Sequence, residues 1–456
     1  MTLRSKRRAS VVVGSAAVAL LALAACGGSS GGGSSAGASM PAGCESFASY
    51  GSHPGTKVKI FTSILPPEQQ RYEASWKQFE TCTGIDIVYE GSDQFEAQLP
   101  TRIAGGNAPD IAFIPQPGLL QKLVQQGGPV EPNQATSDNV DKYWPASWKA
   151  YGTVDGTFYA APLSSNMKSF VWYSPKVFKD KGYTVPTTWD ELMQLSDKMK
   201  SDGITPWCGG IESGGATGWP ATDWVEEVVL GSQGGDVYDK WVSHEIKFDS
   251  PEINAAMDVV NGWMRNSNYV NGGFGDVKTI ATTAFQDAGK PILSGKCGML
   301  QQASFYGAQW ASFKKDVKVT ADGDAFAFYL PAQNTSVSTP VEGGGEFVTA
   351  FADRPEVQQV QAYLSSAEWH TEKVKQGGGW VSGNSGVDIG AYGDQPIAVL
   401  SAKYLTDPNA TLRFDASDLM PAAVGSGSFW TQMTAWFGEN KDTKAVLQAI
   451  DASWPS

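Results

Sequence analysis

Two aspartates three residues apart, Asp415 and Asp418, stand in the segment RFDASDLMPAAVGSGSFW, with Arg413 before them and the aromatic pair Phe429 and Trp430 after. Such a set supports two chemistries. A glycoside hydrolase places two carboxyl groups on either side of the scissile bond and holds one of them protonated. A sugar-binding site uses carboxylates as acceptors for neighbouring hydroxyls. Residue types do not separate the catalyst from the clamp, so the rest of the chain has to.

Other catalytic constellations are missing from the sequence. His53, His244 and His370 are scattered without metal-ligand spacing, and there is no Gly-x-Ser-x-Gly elbow for any of them to serve. Neither a Walker A loop nor a Gly-x-Gly-x-x-Gly fingerprint occurs, so nucleotide chemistry has no support. A formal charge of −13, with no Lys/Arg cluster beyond the N-terminus, argues against nucleic acid as a partner. No cofactor and no metal are expected.

The elements that position these residues follow from length and pattern. With 456 residues, 41% of them apolar and 18% charged, the chain is globular and too long for one compact core, which points to two lobes. At the N-terminus, Arg4, Lys6, Arg7 and Arg8 precede a short Ala-rich apolar run that ends at Ala24 and Ala25, the form of a secretory signal peptide over residues 1–25. LAAC, ending in Cys26, resembles a bacterial lipobox, in which the cysteine carries a diacylglyceryl group. The Gly/Ser-rich stretch within 26–55 then reads as a flexible tether from a lipid anchor. The expected place is the outer face of the cytoplasmic membrane. Cys44, Cys82, Cys208 and Cys297 remain, an even set that suggests two disulfides in an exported chain, with three possible pairings.

After the tether, VKIFTS, IDIVYEG and PDIAFIP read as strands, separated by helical segments over Pro67 to Cys82 and in SDQFEAQLPTRIAGG, where Asp93 and Glu96 have capping-box spacing. A third helix follows in GLLQKLVQQGG. TTWDELMQLSDKMKSDG is an amphipathic helix with a second capping box, Thr188 with Glu191, and KCGML is a later strand. This alternation predicts an α/β fold with parallel sheet.

The ordered motifs GNAPDIAF, YAAPLSSNMKSFVWYSP followed by PTTWDEL, AFQDAGKPILSGKCGML, DRPEVQQVQAYLSS and SDLMPAAVGSGSFW resemble the extracellular solute-binding proteins of carbohydrate ABC importers, the group that includes maltose-binding protein. GGATGWPATDWVEEVVL and FDASDLMP are most similar to the α-glucoside and oligosaccharide binders. The resemblance implies a two-lobed type II binding-protein fold with discontinuous lobes, a multi-strand hinge and the ligand in the cleft between them. It puts residues 56–165 and 300–350 in the first lobe and 166–299 and 351–456 in the second, with crossings near Leu163 to Ser169, Met299 to Ser304 and Phe347 to Phe351. Cys44 with Cys82 and Cys208 with Cys297 is the preferred pairing, because each bridge then stays within one lobe.

For function the resemblance implies a monomeric, non-enzymatic receptor that captures a sugar, an α-glucoside or malto-oligosaccharide, and delivers it to permease subunits. The alternatives are a lipid-anchored glycoside hydrolase or a binder of another solute. Expected sugar contacts are Asp93 and Phe95 at a strand-to-helix loop, Gln116 after the third strand, and Asn166 by the hinge, with Lys168 equally open to a structural role. Trp219 is placed in the cleft with Asp223, leaving Trp224 to the core. Gln302 and the platform Phe305, Gly345 and Glu346 in the glycine run, Trp380, Asp415 and Asp418 complete the set, with Arg413 orienting an aspartate through a bidentate pair. Trp430 reads equally as core or contact, and Asp418 as contact or cap.

Overall fold

The computed structural model describes residues 42–270 and 275–455. Cys26 and the signal segment lie outside them. Twelve strands carry the two main sheets and the smaller one that joins them. β1 (Thr56–Thr62), β2 (Ile85–Gly91), β3 (Ile111–Ile114) and β4 (Ala160–Pro162) come first, then β5 (Asn166–Met167), β6 (Phe170–Tyr173) and β7 (Thr205–Trp207). β8 (Cys297–Gln301), β9 (Phe326–Tyr329), β10 (Pro340–Gly344), β11 (Phe347–Ala350) and β12 (Thr411–Phe414) follow. The first sheet has the order β2-β1-β3-β11-β4, the second β9-β6-β8-β7, and the third β12-β10-β5.

β1 runs parallel to both β2 and β3, with helices in the connections, as the alternation predicts. The apolar faces of these strands, Val58, Ile60, Ile111 and Phe113, share a core with Val357, Val360, Tyr363, Leu364, Trp369 and Val374 of the helices Pro355–Leu364 and Ala367–Lys375. Those helices therefore belong to the first lobe, whereas the sequence places residues 351–456 in the second. β9 corrects the boundary in the other direction. It pairs antiparallel with β6 in the second sheet, although 300–350 is expected in the first lobe. The boundary falls inside the segment GGGEFVTAF, which is divided between two sheets by partners distant in sequence, β10 pairing with β5 and β12 and β11 with β3 and β4.

The chain crosses between lobes at Leu163–Ser165 and at Gly344–Phe347, and a bridge from Ser165 to Val381 ties a third crossing segment to the first. Met299 to Ser304 is not a crossing, because β8 lies inside the second sheet between β6 and β7. Both preferred disulfides form, Cys44–Cys82 and Cys208–Cys297, closing sequence separations of 38 and 89 residues within single lobes.

Two capping expectations part company. Thr188 and Glu191 make the full reciprocal box at the start of Trp189–Ser201. Asp93 and Glu96 do not, since Gln94 is the N-cap of Phe95–Ala104 and makes no side-chain cap bond. The helix expected over Pro67 to Cys82 is two helices, Glu68–Ser75 and Lys77–Thr83, divided at Trp76. Pro100 is accommodated inside the helix Phe95–Ala104. Among the described residues no helix is long and apolar enough to cross a membrane.

Candidate functional site

A cavity of about 280 Å³ lies between the lobes. Its first-lobe wall comes from the residues that follow the parallel strands: Ser63 to Pro66 after β1, Asp93 after β2, and Pro115 with Gln116 after β3. Loops converge at the C-terminal edge of such a sheet, which is where α/β folds bind ligands. Tyr72, Trp380 and Glu346 extend this wall, and Trp380 Nε1 donates to Tyr72 Oη at 3.0 Å. The second-lobe wall carries Asn166, Lys168, Trp219, Phe305, Asp415 and Asp418. Gly345 stands where two crossings touch: a Cβ there would lie 2.2 Å from the Ser164 carbonyl oxygen.

Of the expected residues, Asp93, Gln116, Asn166, Trp219, Phe305, Gly345, Glu346, Trp380, Asp415 and Asp418 all line this cavity. Lys168 and Trp430 join them. Trp219 packs edge-on against Phe285 at 4.9 Å and tilted against Phe305 at 6.0 Å, while Trp224 is buried in the second-lobe core beside Phe437. Trp430 is fixed by its Nε1 donating to Ser417 Oγ at 3.2 Å.

Four expectations are corrected. Phe95 turns into the first-lobe core, its ring 5.0 Å from that of Phe61. The Gln302 side chain folds back to accept from the Ala303 N–H at 2.7 Å and is buried. Asp223 lies behind the wall, bound to Lys168. Arg413 makes its bidentate pair with Asp239, at 2.6 and 2.9 Å, and orients neither Asp415 nor Asp418.

The cation that serves Asp415 is Lys168. Its ammonium bonds Asp415 Oδ2, stands 2.8 Å from Asp223 Oδ1 and lies 3.9 Å from Glu342 Oε1. Carboxylate oxygens of these three acids come within 4.8 Å of one another, and the positive charge among them is this lysine. Burial alone would lower the Lys168 pKa, but Asp223, Asp415 and Glu342 hold it well above its ordinary value. Burial would raise Asp415 too. The Lys168 ammonium, with the Asp418 N–H and Ser417 hydroxyl that donate to it, holds it below the usual range instead. In the neighbouring acids burial outweighs the pull of the same lysine: it pushes Asp223 up to about 7 against the bound Lys168 ammonium, and Glu227 up to about 8. Asp418 is raised well above its usual range by burial and then by the charge on Asp415.

The two aspartates of RFDASDLMP therefore have opposite electrostatics but one location. Asp415 is the N-cap of the turn Ala416–Leu419 and accepts from the Asp418 N–H at 2.8 Å. The cap is Asp415, not Asp418. Two carboxyls on a single turn of the second lobe do not stand on opposite sides of a bond, as a hydrolase pair must.

The sequence reading missed Glu68, Tyr72, Glu96, Glu212, Phe285, Gln286 and Gln309, all on the cavity wall. Topology holds a signal for the first. Glu68 follows β1 as Asp93 follows β2, and Lys373 and Arg71 both bond it. Gln286 and Gln309 carry no comparable mark in the sequence.

Three comparisons place the chain among known proteins. The sequence profile of the family described as bacterial extracellular solute-binding protein matches residues 65–371. Similar relatives include the osmoprotective compounds-binding protein GgtB of Synechocystis sp., 34% identical over 90% of this chain and 96% of that protein. The alpha-glucosides-binding periplasmic protein AglE of Rhizobium meliloti is 34% identical over 91% of this chain and 90% of its own. Among solved structures, the bacterial solute receptor AcbH superposes with a TM-score of 0.73 at 19% identity, covering 87% of this chain and 98% of that one. The GacH receptor of Streptomyces glaucescens gives 0.67 at 16% identity, covering 88% and 97%.

Proposed function

The chain belongs to the bacterial extracellular solute-binding proteins, and from that premise we propose that it is the sugar-capturing subunit of an ABC importer, with an α-glucoside as its ligand. One observation carries the reading: a cavity between two lobes is walled by Trp219, Phe285 and Phe305 on one side and supplied with carboxyl and amide acceptors from both. Aromatic faces take the apolar surface of a sugar ring, and charged acceptors bond its hydroxyls, each such bond contributing about 1.5 to 3 kcal/mol. The name of AglE supports the α-glucoside. The placement of Asp415 and Asp418 on one turn supports a binder over a hydrolase.

The captured sugar passes to permease subunits that read the shut form. Cys26 carries the lipid that keeps the receptor at the membrane, and the Gly/Ser segment gives it reach. A thermal-shift screen over mono-, di- and oligosaccharides tests the proposal. A ligand at 100 times its Kd adds about 2.7 kcal/mol, so a true ligand raises the melting temperature clearly. No shift with any α-glucoside would refute it.

A further inference from the structure

Lys373 has no exposed side-chain surface, and the three groups that its ammonium meets all lie on the cavity wall. It bonds Glu68 Oε1, and it stands 4.3 Å from the centre of the Tyr72 ring and 4.7 Å from that of Trp380, within cation–π reach of both. Lys373 itself stands behind that wall. Its place in the sequence offers a plainer role, a cation in the last turn of the helix Ala367–Lys375 that complements the helix dipole. Lys375, in the same turn, is half exposed and pairs with Glu372, as a surface cation does. Lys373 turns inward instead, where burial lowers its pKa and Glu68 pulls it back up.

The corner that it ties together comes from two distant segments. Glu68 and Tyr72 are four residues apart on one face of the helix Glu68–Ser75, and Lys373 lies 305 residues beyond Glu68. Trp380 follows the glycine loop 377–379, in which all three residues have a positive φ. A Cβ on Gly378 would lie 2.9 Å from Glu68 Oε2, so the loop that carries Trp380 lies directly on this carboxylate. Arg71 fastens the same corner from its other side, donating to Glu68 Oε2 and to the Gln376 carbonyl, each at 3.2 Å. A carboxylate has about four lone-pair sites, so Glu68 held by both cations still has acceptors for hydroxyls. Stability alone does not call for a lysine here, because an apolar filling of the same volume serves a buried site as well as an ion pair does.

We propose that Lys373 is a positioning residue of the sugar site: without touching the ligand, its ammonium fixes the Glu68 carboxylate and the Tyr72 and Trp380 rings as one preset corner of the first lobe. The sugar then meets an acceptor beside two aromatic faces that need no ordering when it binds, which lowers the cost of binding. This rests on the glycoside reading above, and it adds to that reading a residue that acts through the wall.

The experiment is a double-mutant cycle read by calorimetric titration with maltose, trehalose and sucrose, on wild type, Lys373→Met, Glu68→Gln and the double variant. Methionine keeps the apolar stem against the rings and removes the charge. Lys373→Met should weaken the tightest of these sugars by at least about tenfold. The loss in the double variant should fall short of the product of the two single losses by at least about threefold, because Lys373 works in part through Glu68. A merely structural lysine would leave the two losses multiplicative, whatever it does to the melting temperature. Should Lys373→Met fail to fold, Lys373→Gln, which keeps a donor for Glu68 and takes the charge from the rings, replaces it in the cycle with the same expectations. Wild-type affinity in the folded Lys373 variant, or multiplicative losses, would overturn the proposal and leave the glycoside reading standing. If none of the three sugars binds wild type, the glycoside reading fails and this proposal falls with it.

Discussion

The backbone N–H of Gly215 donates to the carbonyl of Asp93 at 2.6 Å, a direct bond from the second lobe to the first. Its neighbour Gly214 and Asp93 itself both line the cavity, so the sugar site and the contact that shuts it are built from the same short segments. Binding and closure are then one equilibrium, in which a ligand that touches both lobes favours the shut form.

Gly118→Ala tests that coupling. A Cβ at this helical position would stand 1.8 Å from the Met420 carbonyl oxygen across the seam, so the shut form has no room for it. With the lobes apart, alanine is the better helix residue by about 0.5–1 kcal/mol. Sugar affinity should fall at least about tenfold, a loss of some 1.4 kcal/mol, with no drop in the ligand-free melting temperature. Unchanged affinity in a calorimetric titration would separate closure from binding.

Lys168→Met removes the cation from Asp223 and Asp415. Breaking a buried ion pair by deleting one partner costs about 3–5 kcal/mol. Urea unfolding near pH 7.5 should show a loss of that order, and the loss should shrink near pH 5, where the orphaned acids take protons. A variant as stable as wild type at both values would mean that the acids are neutral beforehand.

Glu227 and Asp223 set a pH dependence of stability. Their pKa values stand raised in the folded chain, at about 8 and about 7, from the ordinary carboxyl values of 4.5 and 3.8. The unfolded chain therefore gives up these protons first. The stability they contribute is fully present below the unfolded pKa and is lost as pH rises through the folded values. Denaturation midpoints should decline from about pH 5 to 8, and Glu227→Gln should make the decline shallower. A Glu227→Gln curve as steep as wild type would place the effect elsewhere.

Cys26→Ser tests the anchor. The variant should move from membrane to soluble fractions in cells that lack the importer, because a single lipidated cysteine is the proposed attachment. Persistence on the membrane would contradict the lipobox.

How much of this was legible in the sequence depends on range. The parallel strands, the Thr188 capping box and both disulfides were readable, because each rests on a short pattern or on a count within one lobe. The lobe boundaries were not, since the division of GGGEFVTAF between β10 and β11 depends on partners far along the chain. The partner of Asp415 was misread for the same reason. Arg413 is its near neighbour in sequence, but Lys168, 247 residues away, is the cation that reaches it. Glu96 was hidden by its own ordinariness, because an acid in the first turn of a helix looks like a dipole partner or a cap.

The most direct test of the account is a calorimetric titration of wild type and Trp219→Ala with the α-glucoside that shifts the melting temperature most. Trp219 stands on the second-lobe wall between Phe285 and Phe305 and takes no part in the Lys168 hydrogen bonds. The account predicts one site per chain in wild type, intact sugar recovered afterwards, and an affinity reduced by at least about tenfold, or 1.4 kcal/mol, in Trp219→Ala with the fold retained. Equal affinities in the two proteins, or hydrolysed sugar in the wild-type cell, would contradict it.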